Sequence, residues 1–290
     1  MKSILRTVIC FSLLFVVWSA PAQSQDQDKE WLRVETVEGN VFFGYLVSEN
    51  DQSVTLNVET VGEITIQRDN IRSMNRIDSE RIKNGSYWYD NPQATRYFFA
   101  PNAIGVQKGR GYYQNTWIFF NNVNYGISDL FSLGGGIVPT FLFGASSTPI
   151  WILPKVSIPV SSDRFHLGAG AMFGGLIGEE SETLGLFYGV GTLGDRDKNL
   201  TVGLGYGYAG GEVSRTPLIN VSGTVRISRR VFLLTENYFI PEVDTGGILS
   251  AGARWTSEQI AVDFGLFRPT DGGGDLIGIP WLGVTIPFGR

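Results

Sequence analysis

The sequence predicts an all-β fold, in which a transmembrane antiparallel β-barrel of about twelve strands follows a small β-barrel domain. The chain has 37 glycines among 290 residues and 13% aromatic but only 18% charged residues. An ordinary soluble domain has about 25% charged residues and about 7% glycine. Beyond the N-terminal segment, no apolar run approaches the roughly 20 residues of a membrane-spanning helix. From residue 96 onward, short segments alternate in hydrophobicity, as strands of a membrane barrel do.

Residues 1–22 are typical of a secretory signal peptide. Two basic residues precede an apolar run over residues 8–18, and an Ala-Pro-Ala sequence ends at Ala22. A membrane anchor is the alternative, but the run is too short for a spanning helix. The only cysteine, Cys10, lies inside this run, so the exported chain is expected to have no thiol for a disulfide or a metal.

Residues 23–80 are expected to form a small periplasmic β domain. Between Trp31 and Ile77 the apolar residues alternate over about five short strands, with turns at Gly39 and Gly62 that need positive φ. The pattern resembles the Sm-like and SH3-like small barrels through Val34-x-Thr36-Val37-x-Gly39-x-Val41-x-x-Gly44-x-Leu46, Ile64-Thr65-Ile66 and Asn70-Ile71-Arg72-Ser73-Met74.

The Sm-like resemblance implies an association with RNA, which we do not expect here. The chain is exported, carries a net charge of -5 and has no basic stripe with interleaved aromatic residues. A periplasmic protein partner, docking through residues 23–80, or a purely structural role is expected instead. Residues 81–95 are interpreted as a linker, whose Tyr87, Trp88 and Tyr89 would rest at the inner membrane boundary.

The predicted barrel covers residues 96–290, and its connections alternate in length. Strands are expected to start near Arg96, Tyr112, Leu130, Ile150, Arg164, Thr183, Lys198, Pro217, Val231, Ile248, Gln259 and Ile279. Short turns are expected at 126–129, 161–163, 195–197, 229–230 and 256–258, and longer loops at 107–111, 144–149, 175–182, 209–216, 241–247 and 269–278. Since short turns face the periplasm, both barrel ends and the small domain should lie on that side of a Gram-negative outer membrane.

Alternation also assigns each residue to a face. Leu200, Val202 and Leu204 should face lipid while the intervening glycines face the lumen. The stripe Leu184, Leu186, Tyr188 and Val190 is assigned to the lipid side in the same way. The last strand places Phe288 near the C-terminus, which resembles the closing-strand signal of outer-membrane proteins.

Five charged residues form a predicted lumenal charge ladder: Lys155, Arg226, Glu236, Arg254 and Asp263. An arginine facing lipid near the midplane would cost about 2 to 4 kcal/mol, so these side chains should point inward. The hairpin is expected to set Glu236 nearly opposite Arg254, with Arg226 and Asp263 as diagonal neighbours. The ladder could be a constriction that selects permeants or a structural set of ion pairs.

No catalytic or cofactor site is predicted. His166 is the only histidine, so a catalytic triad or a multi-histidine metal site would have to be built around it, and it is interpreted as an ordinary lumen residue. Residues 271–275 lack the ligand spacing of a calcium loop. The sequence therefore favours a non-enzymatic outer-membrane protein that contacts membrane lipids and acts as a narrow pore or structural barrel. An accessory factor of secretion or envelope assembly and a lipid-modifying barrel enzyme are the alternatives.

Overall fold

The computed structural model describes residues 29–59, 61–78, 81–83, 86–161, 164–178, 183–241, 246–270 and 277–289. The predicted signal peptide with Cys10 and the glycine-rich segment 271–275 lie outside these residues. The chain divides into two compact units, Met1–Trp88 and Tyr89–Arg290. Within the described residues, no helix is long and apolar enough to span a membrane.

The first unit contains a five-stranded antiparallel sheet. Its core is apolar and includes Leu32, Val34 and Leu56. Gly39 and Gly62 have φ of 90° and 85°, so the predicted glycine turns are confirmed. The strands of the sheet are β1 (Trp31–Thr36), β2 (Val41–Glu49), β3 (Ser53–Val58), β4 (Gly62–Gln67) and β5 (Ile71–Arg76), and they lie in the order β4-β3-β2-β1-β5. A short hairpin of β6 (Ile82–Lys83) and β7 (Ser86–Tyr87) follows.

The second unit is a closed antiparallel barrel of twelve strands, which confirms the predicted all-β fold and the predicted strand number of the barrel. The wall strands are β8 (Gly111–Thr116), β9 (Phe120–Gly126), β10 (Phe131–Ile137), β11 (Thr148–Ser161), β12 (Phe165–Ile177), β13 (Leu184–Gly194), β14 (Lys198–Ala209), β16 (Leu218–Arg226), β17 (Val231–Phe239), β18 (Gly247–Thr256), β19 (Ala261–Pro269) and β20 (Ile279–Phe288). A two-residue strand, β15 (Glu212–Val213), extends the hairpin after β14. The barrel closes where β20 pairs with β8, from Gly283 opposite Thr116 to Phe288 opposite Gly111.

Connections of different length lie at opposite ends of the barrel. At the short-turn end the strands are joined by three or four residues, and both ends of the wall, Gly111 and Phe288, lie there. The long-loop end carries connections of six to ten residues, except for the three-residue turn at 117–119. The predicted alternation of short and long connections is therefore present with this one exception.

The predicted strand at Arg96 is wrong, although the total of twelve is right. The first wall strand is β8, and a turn with positive φ at Trp117 and Ile118 separates it from β9. This turn has an apolar sequence without glycine or proline, so the sequence of β8 and β9 resembles that of one continuous strand. The predicted loop at 107–111 consequently lies at the short-turn end, before the barrel wall begins.

The predicted lipid-facing stripe of β13 is also wrong. Phe187 and Leu193 are exposed on the outside, whereas Val190 is buried and lines the lumen together with Leu186. The prediction assumed that the apolar face of each strand meets lipid. The lumen is itself apolar beside β13, so both faces carry apolar residues.

Apolar side chains cover the outer surface of the barrel. They include Ile152 (53% exposed), Val202 (55%) and Phe264 (54%). Other exposed members of this apolar outer surface are Val123, Leu133, Ile158, Leu167, Leu204, Leu266, Leu282 and Ile286.

Candidate functional site: the occupied lumen

Residues 89–106, which we term the lumenal segment, fold inside the barrel. Tyr97, Phe98 and Ala103 are fully buried. The segment turns back on itself at a tip, where the Tyr97 amide donates to the Ala100 carbonyl (3.0 Å) and Arg96 forms a bridge with Pro101. Because a loop has no backbone ladder, its polar groups need partners from the wall.

The predicted ladder residues supply several of these partners, and Arg254 donates to three carbonyls, of which the Arg96 carbonyl is the most distant at 3.4 Å. Its guanidinium donates to the carbonyls of Gln93 (2.9 Å) and Tyr97 (2.7 Å) in the lumenal segment. The same guanidinium forms a two-bond ion pair with Asp263 on the neighbouring strand, and both side chains are 1% exposed. Asp263 thus provides the counter-charge that lets Arg254 hold the segment from within a buried site.

Glu236 holds the tip of the lumenal segment. Its Oε2 accepts hydrogen bonds from the backbone amides of Phe99 (2.9 Å) and Ala100 (3.0 Å), while its Oε1 accepts one from the Tyr238 hydroxyl (2.6 Å). Charged acceptors make stronger hydrogen bonds than neutral ones. The fully buried carboxylate is therefore satisfied by the segment itself.

Lys155 and Arg226 hold the two ends of the segment. The Lys155 ammonium donates to the Ile104 carbonyl (2.8 Å), and Arg226 donates to the Tyr89 carbonyl (2.9 Å). Arg226 also forms an ion pair with Asp197 at 3.2 Å. Buried Tyr89 packs beneath this guanidinium, so the predicted membrane-boundary position is wrong for this residue.

The predicted pairings within the ladder are wrong. Arg254 lies opposite Phe232 on β17 and opposite Asp263 on β19. Glu236 instead contacts Ser250, whose hydroxyl accepts from the Glu236 amide and donates to its carbonyl. All five residues are buried and face the lumen, but the observed ion pairs join Arg254 with Asp263 and Arg226 with Asp197.

Neutral polar contacts complete the attachment. The Tyr97 hydroxyl lies 2.6 Å from Asn199 Oδ1 and 2.7 Å from the Thr201 hydroxyl, and the Ala103 amide donates to Thr192. Burial raises the pKa of the Tyr97 phenol above its usual range, so the hydroxyl stays protonated and can donate. The segment is thus bonded to strands on opposite sides of the barrel.

Phe98 packs on two glycines of the wall. A Cβ atom at Gly265 would lie 2.6 Å from the Phe98 ring, and one at Gly252 would lie 2.8 Å from it. The ring also contacts Phe267 and Trp281, with centroids 5.3 and 5.6 Å away. The inward glycines of β18 and β19 therefore make room for this phenylalanine.

A cavity of about 530 Å³ lies between the lumenal segment and the long-loop end. Its polar side includes Arg96, Lys155 and Glu236. Most of its other walls are apolar and include Trp117, Leu153, Met172, Leu186, Leu218, Ile240, Ile248, Phe267 and Trp281.

Arg96 stands at the polar side of this cavity. Its guanidinium donates to Gln114 Oε1 (2.7 Å) and Asn124 Oδ1 (3.4 Å) and lies over the Tyr112 ring. Two buried donors, Arg96 Nε and Asn124 Nδ2, have no hydrogen-bond partner within the described residues. The arrangement leaves hydrogen-bonding capacity beside an apolar space.

The only histidine lies in the wall of the barrel, on β12. His166 is buried and lies opposite Thr192 in the pairing of β12 with β13. Among the described residues, no three His, Cys, Asp or Glu side chains come together in a way that could hold a metal ion.

Sequence reasoning missed the lumenal segment, including Arg96, because an apolar run of this length resembles a strand of the barrel wall. One usable signal was its density of polar residues with small or aromatic neighbours: Asn91, Gln93, Thr95 and Asn102 are all buried. Such residues suit a segment that is enclosed on every side and must find partners.

Comparisons with known proteins give structural neighbours only. No family model matches the chain, and no curated protein matches it. Among solved structures, the chain is similar to the KdgM porin (7% identity, TM-score 0.45, 62% of this chain and 99% of that one). It is also similar to the NanC porin (10%, 0.40, 61% and 96%) and to OmpT, an outer membrane protein of Vibrio cholerae (13%, 0.32, 90% and 95%).

Proposed function

We propose that this protein is an integral outer-membrane β-barrel that its own lumenal segment closes, and that it serves as a membrane anchor with a periplasmic docking domain. The attachment of the lumenal segment to the wall carries this proposal. Lys155, Arg226, Glu236 and Arg254 bond to backbone groups of the segment. A constriction ring for permeants would expose such charges to water, whereas these are buried.

The apolar outer surface supports the membrane location. Its leucines, isoleucines and phenylalanines are exposed around the wall, while the buried charges of the barrel point inward. Soluble proteins rarely expose a contiguous apolar surface that extends around the whole molecule. A bilayer covers this surface, and a closed barrel satisfies its backbone groups there.

The docking role rests on the first unit and on the orientation of the barrel. Short turns face the periplasm in outer-membrane barrels, and the barrel wall begins and ends at the short-turn end. The five-stranded antiparallel sheet with the order β4-β3-β2-β1-β5 supports our assignment of this unit as a small Sm-like domain. We propose that a periplasmic protein binds this domain.

A narrow pore is the second candidate, and the cavity at the long-loop end favours it. Conduction would require the lumenal segment to leave its contacts with Glu236 and Arg254. Conductance therefore separates an anchor from a gated pore.

Gel mobility and bilayer recording test the proposal. Membrane fractions should retain the protein after carbonate washing, and the unboiled protein should migrate differently from the boiled protein. Reconstituted wild type should show no steady conductance, whereas Glu236→Ala combined with Arg254→Ala should produce openings because the segment loses its anchors. Release by carbonate would contradict the membrane location, and steady wild-type channels would contradict the closed lumen.

A further inference from the structure

The cavity in the upper lumen has a polar side and an apolar side. Its volume of about 530 Å³ falls within the roughly 300 to 1,000 Å³ of small-molecule sites, which are mostly apolar with a few convergent polar groups. Arg96, Lys155 and Asn124 contribute to its polar side, where the tip of the lumenal segment lies.

Charge in this cavity is not balanced. Among the described lining residues there are two cations, Arg96 and Lys155, and one carboxylate, Glu236. Glu236 already accepts three hydrogen bonds from Phe99, Ala100 and Tyr238. Neither cation forms an ion pair within the described residues, because their hydrogen bonds go to amide and carbonyl oxygens. A buried cation without a counter-ion is costly unless an anion compensates it.

Two unmatched donors lie beside this charge. Arg96 Nε and Asn124 Nδ2 are buried and have no acceptor within the described residues, although both side chains line the cavity. Lys155 uses one of its three ammonium hydrogens on the Ile104 carbonyl. Arg96, Asn124 and Lys155 thus retain hydrogen-bond donors at the polar side of the cavity.

The remaining walls suit an apolar chain. Leu153, Met172 and Leu186 come from three consecutive strands, and Phe267 and Trp281 face them from the last two strands. Flexible methionine and leucine side chains adapt to an aliphatic tail. These walls extend from the polar side toward the long-loop end.

We propose that this cavity binds an amphipathic carboxylate, with its anionic head at Arg96, Asn124 and Lys155 and its aliphatic tail against Leu153, Met172 and Leu186. The ligand thereby occupies the half of the lumen that the lumenal segment leaves free. This inference rests on the proposed function only in that the lumenal segment lies inside a membrane barrel, and it requires neither a lumen closed to ions nor the periplasmic docking role.

Binding of decanoate to the full-length protein in nanodiscs tests the proposal. Decanol carries the same tail without the charge, and decyltrimethylammonium carries the opposite charge. After subtraction of empty nanodiscs, isothermal titration should give saturable decanoate binding, with decanol about tenfold or more weaker because charged hydrogen bonds are lost. Equal affinities for decanoate and decanol, or strongest binding of the cation, would overturn the proposal.

Variants assign the two halves of the site. Arg96→Gln should weaken decanoate about tenfold or more while leaving decanol within about twofold, and Arg96→Lys should restore most of the decanoate affinity. Leu186→Trp should weaken both ligands, since the indole occupies the space for the tail. Arg110→Gln, at an exposed ion pair with Asp90, is the control and should change neither affinity.

Fold and function are checked separately. Heat-modifiable gel mobility shows whether each variant remains a folded barrel, and the absence of conductance shows whether the lumen stays closed. Undiminished decanoate binding to folded Arg96→Gln would contradict the head-group assignment. If Arg96→Gln does not fold, the decanoate and decanol affinities of wild type and Leu186→Trp decide the outcome. Open wild-type channels with intact decanoate selectivity would refute the closed lumen and leave this site standing.

Discussion

Arg254 and Asp263 face each other across β18 and β19, and bonds of 2.6 and 3.0 Å join the guanidinium to the carboxylate inside the barrel. The guanidinium also donates to Gln93 and Tyr97 of the lumenal segment. One buried ion pair therefore connects two strands of the wall with the lumenal segment.

Asp263→Ala should destabilise the barrel by about 3 to 5 kcal/mol, because it leaves the buried Arg254 charge without its counter-ion. Urea unfolding in lipid vesicles, followed by tryptophan fluorescence, measures this loss. Asp90→Ala is the control, since Asp90 and Arg110 are half exposed and 3.6 Å apart, and it should cost less than about 1 kcal/mol. Equal losses for the two variants would contradict the role of Asp263.

Glu236→Gln should loosen the tip of the lumenal segment. The amide oxygen is a weaker acceptor than the carboxylate for the Phe99 and Ala100 amides, and such charged bonds contribute about 1.5 to 3 kcal/mol. Hydrogen exchange of these two amides should accelerate about tenfold or more. Glu212→Gln, an exposed change in β15, should leave their exchange unaltered. Unchanged exchange in Glu236→Gln would show that other contacts fix the tip.

Gly265→Ala should destabilise the barrel by about 1 to 3 kcal/mol, because the added methyl group collides with the Phe98 ring. Gly189→Ala is a matched control on the outer face of β13, where a Cβ atom meets nothing within 4 Å. The control should be neutral or stabilising by about 0.5 to 1 kcal/mol, because alanine loses less conformational entropy than glycine when a strand forms. Comparison of the unfolding midpoints of the two variants tests this prediction. An unchanged midpoint in Gly265→Ala would contradict the packing of Phe98 against Gly265.

Tyr97→Phe should cost about 1 kcal/mol at neutral pH, because the contacts of the hydroxyl with Asn199 and Thr201 are lost. The raised pKa of Tyr97 adds a pH dependence. Above about pH 10 the phenol ionises in the unfolded chain but not in the folded one, so its stabilising contribution is complete below this pH and falls above it. The stability difference between wild type and Tyr97→Phe should shrink between about pH 10 and pH 12. A constant difference over that range would contradict the burial of the phenol.

The wall could be predicted from sequence because the assumption of an apolar exterior imposes a simple rule on each strand. Arg226, Glu236 and Arg254 could be assigned to the lumen, since the outside excludes charge. Their pairing could not, because a shift of two residues across a long hairpin loop preserves both faces of the strands. The observed contact of Glu236 with Ser250 reflects that freedom.

The lumenal segment escaped prediction for a different physical reason. Arg96 and Phe98 are enclosed on all sides, so neither lipid nor water imposes a two-residue period on their neighbours. The prediction that this face of β13 meets lipid is wrong for a related reason, because Leu186 and Val190 line an apolar lumen. Both features depend on long-range contacts that a local pattern does not contain.

The route of the chain through the barrel has a mechanical consequence. The lumenal segment enters beside Arg226 and Thr256, where Tyr89 is held, and it leaves beside Gly126, which pairs with Gly109. All these wall residues lie at the short-turn end, so the segment makes a return trip and is not threaded through the cylinder. Withdrawal of the segment would not require the seam between β8 and β20 to part. A force on the N-terminal end of the segment would act first on the bonds of Tyr89 with Arg226 and Thr256.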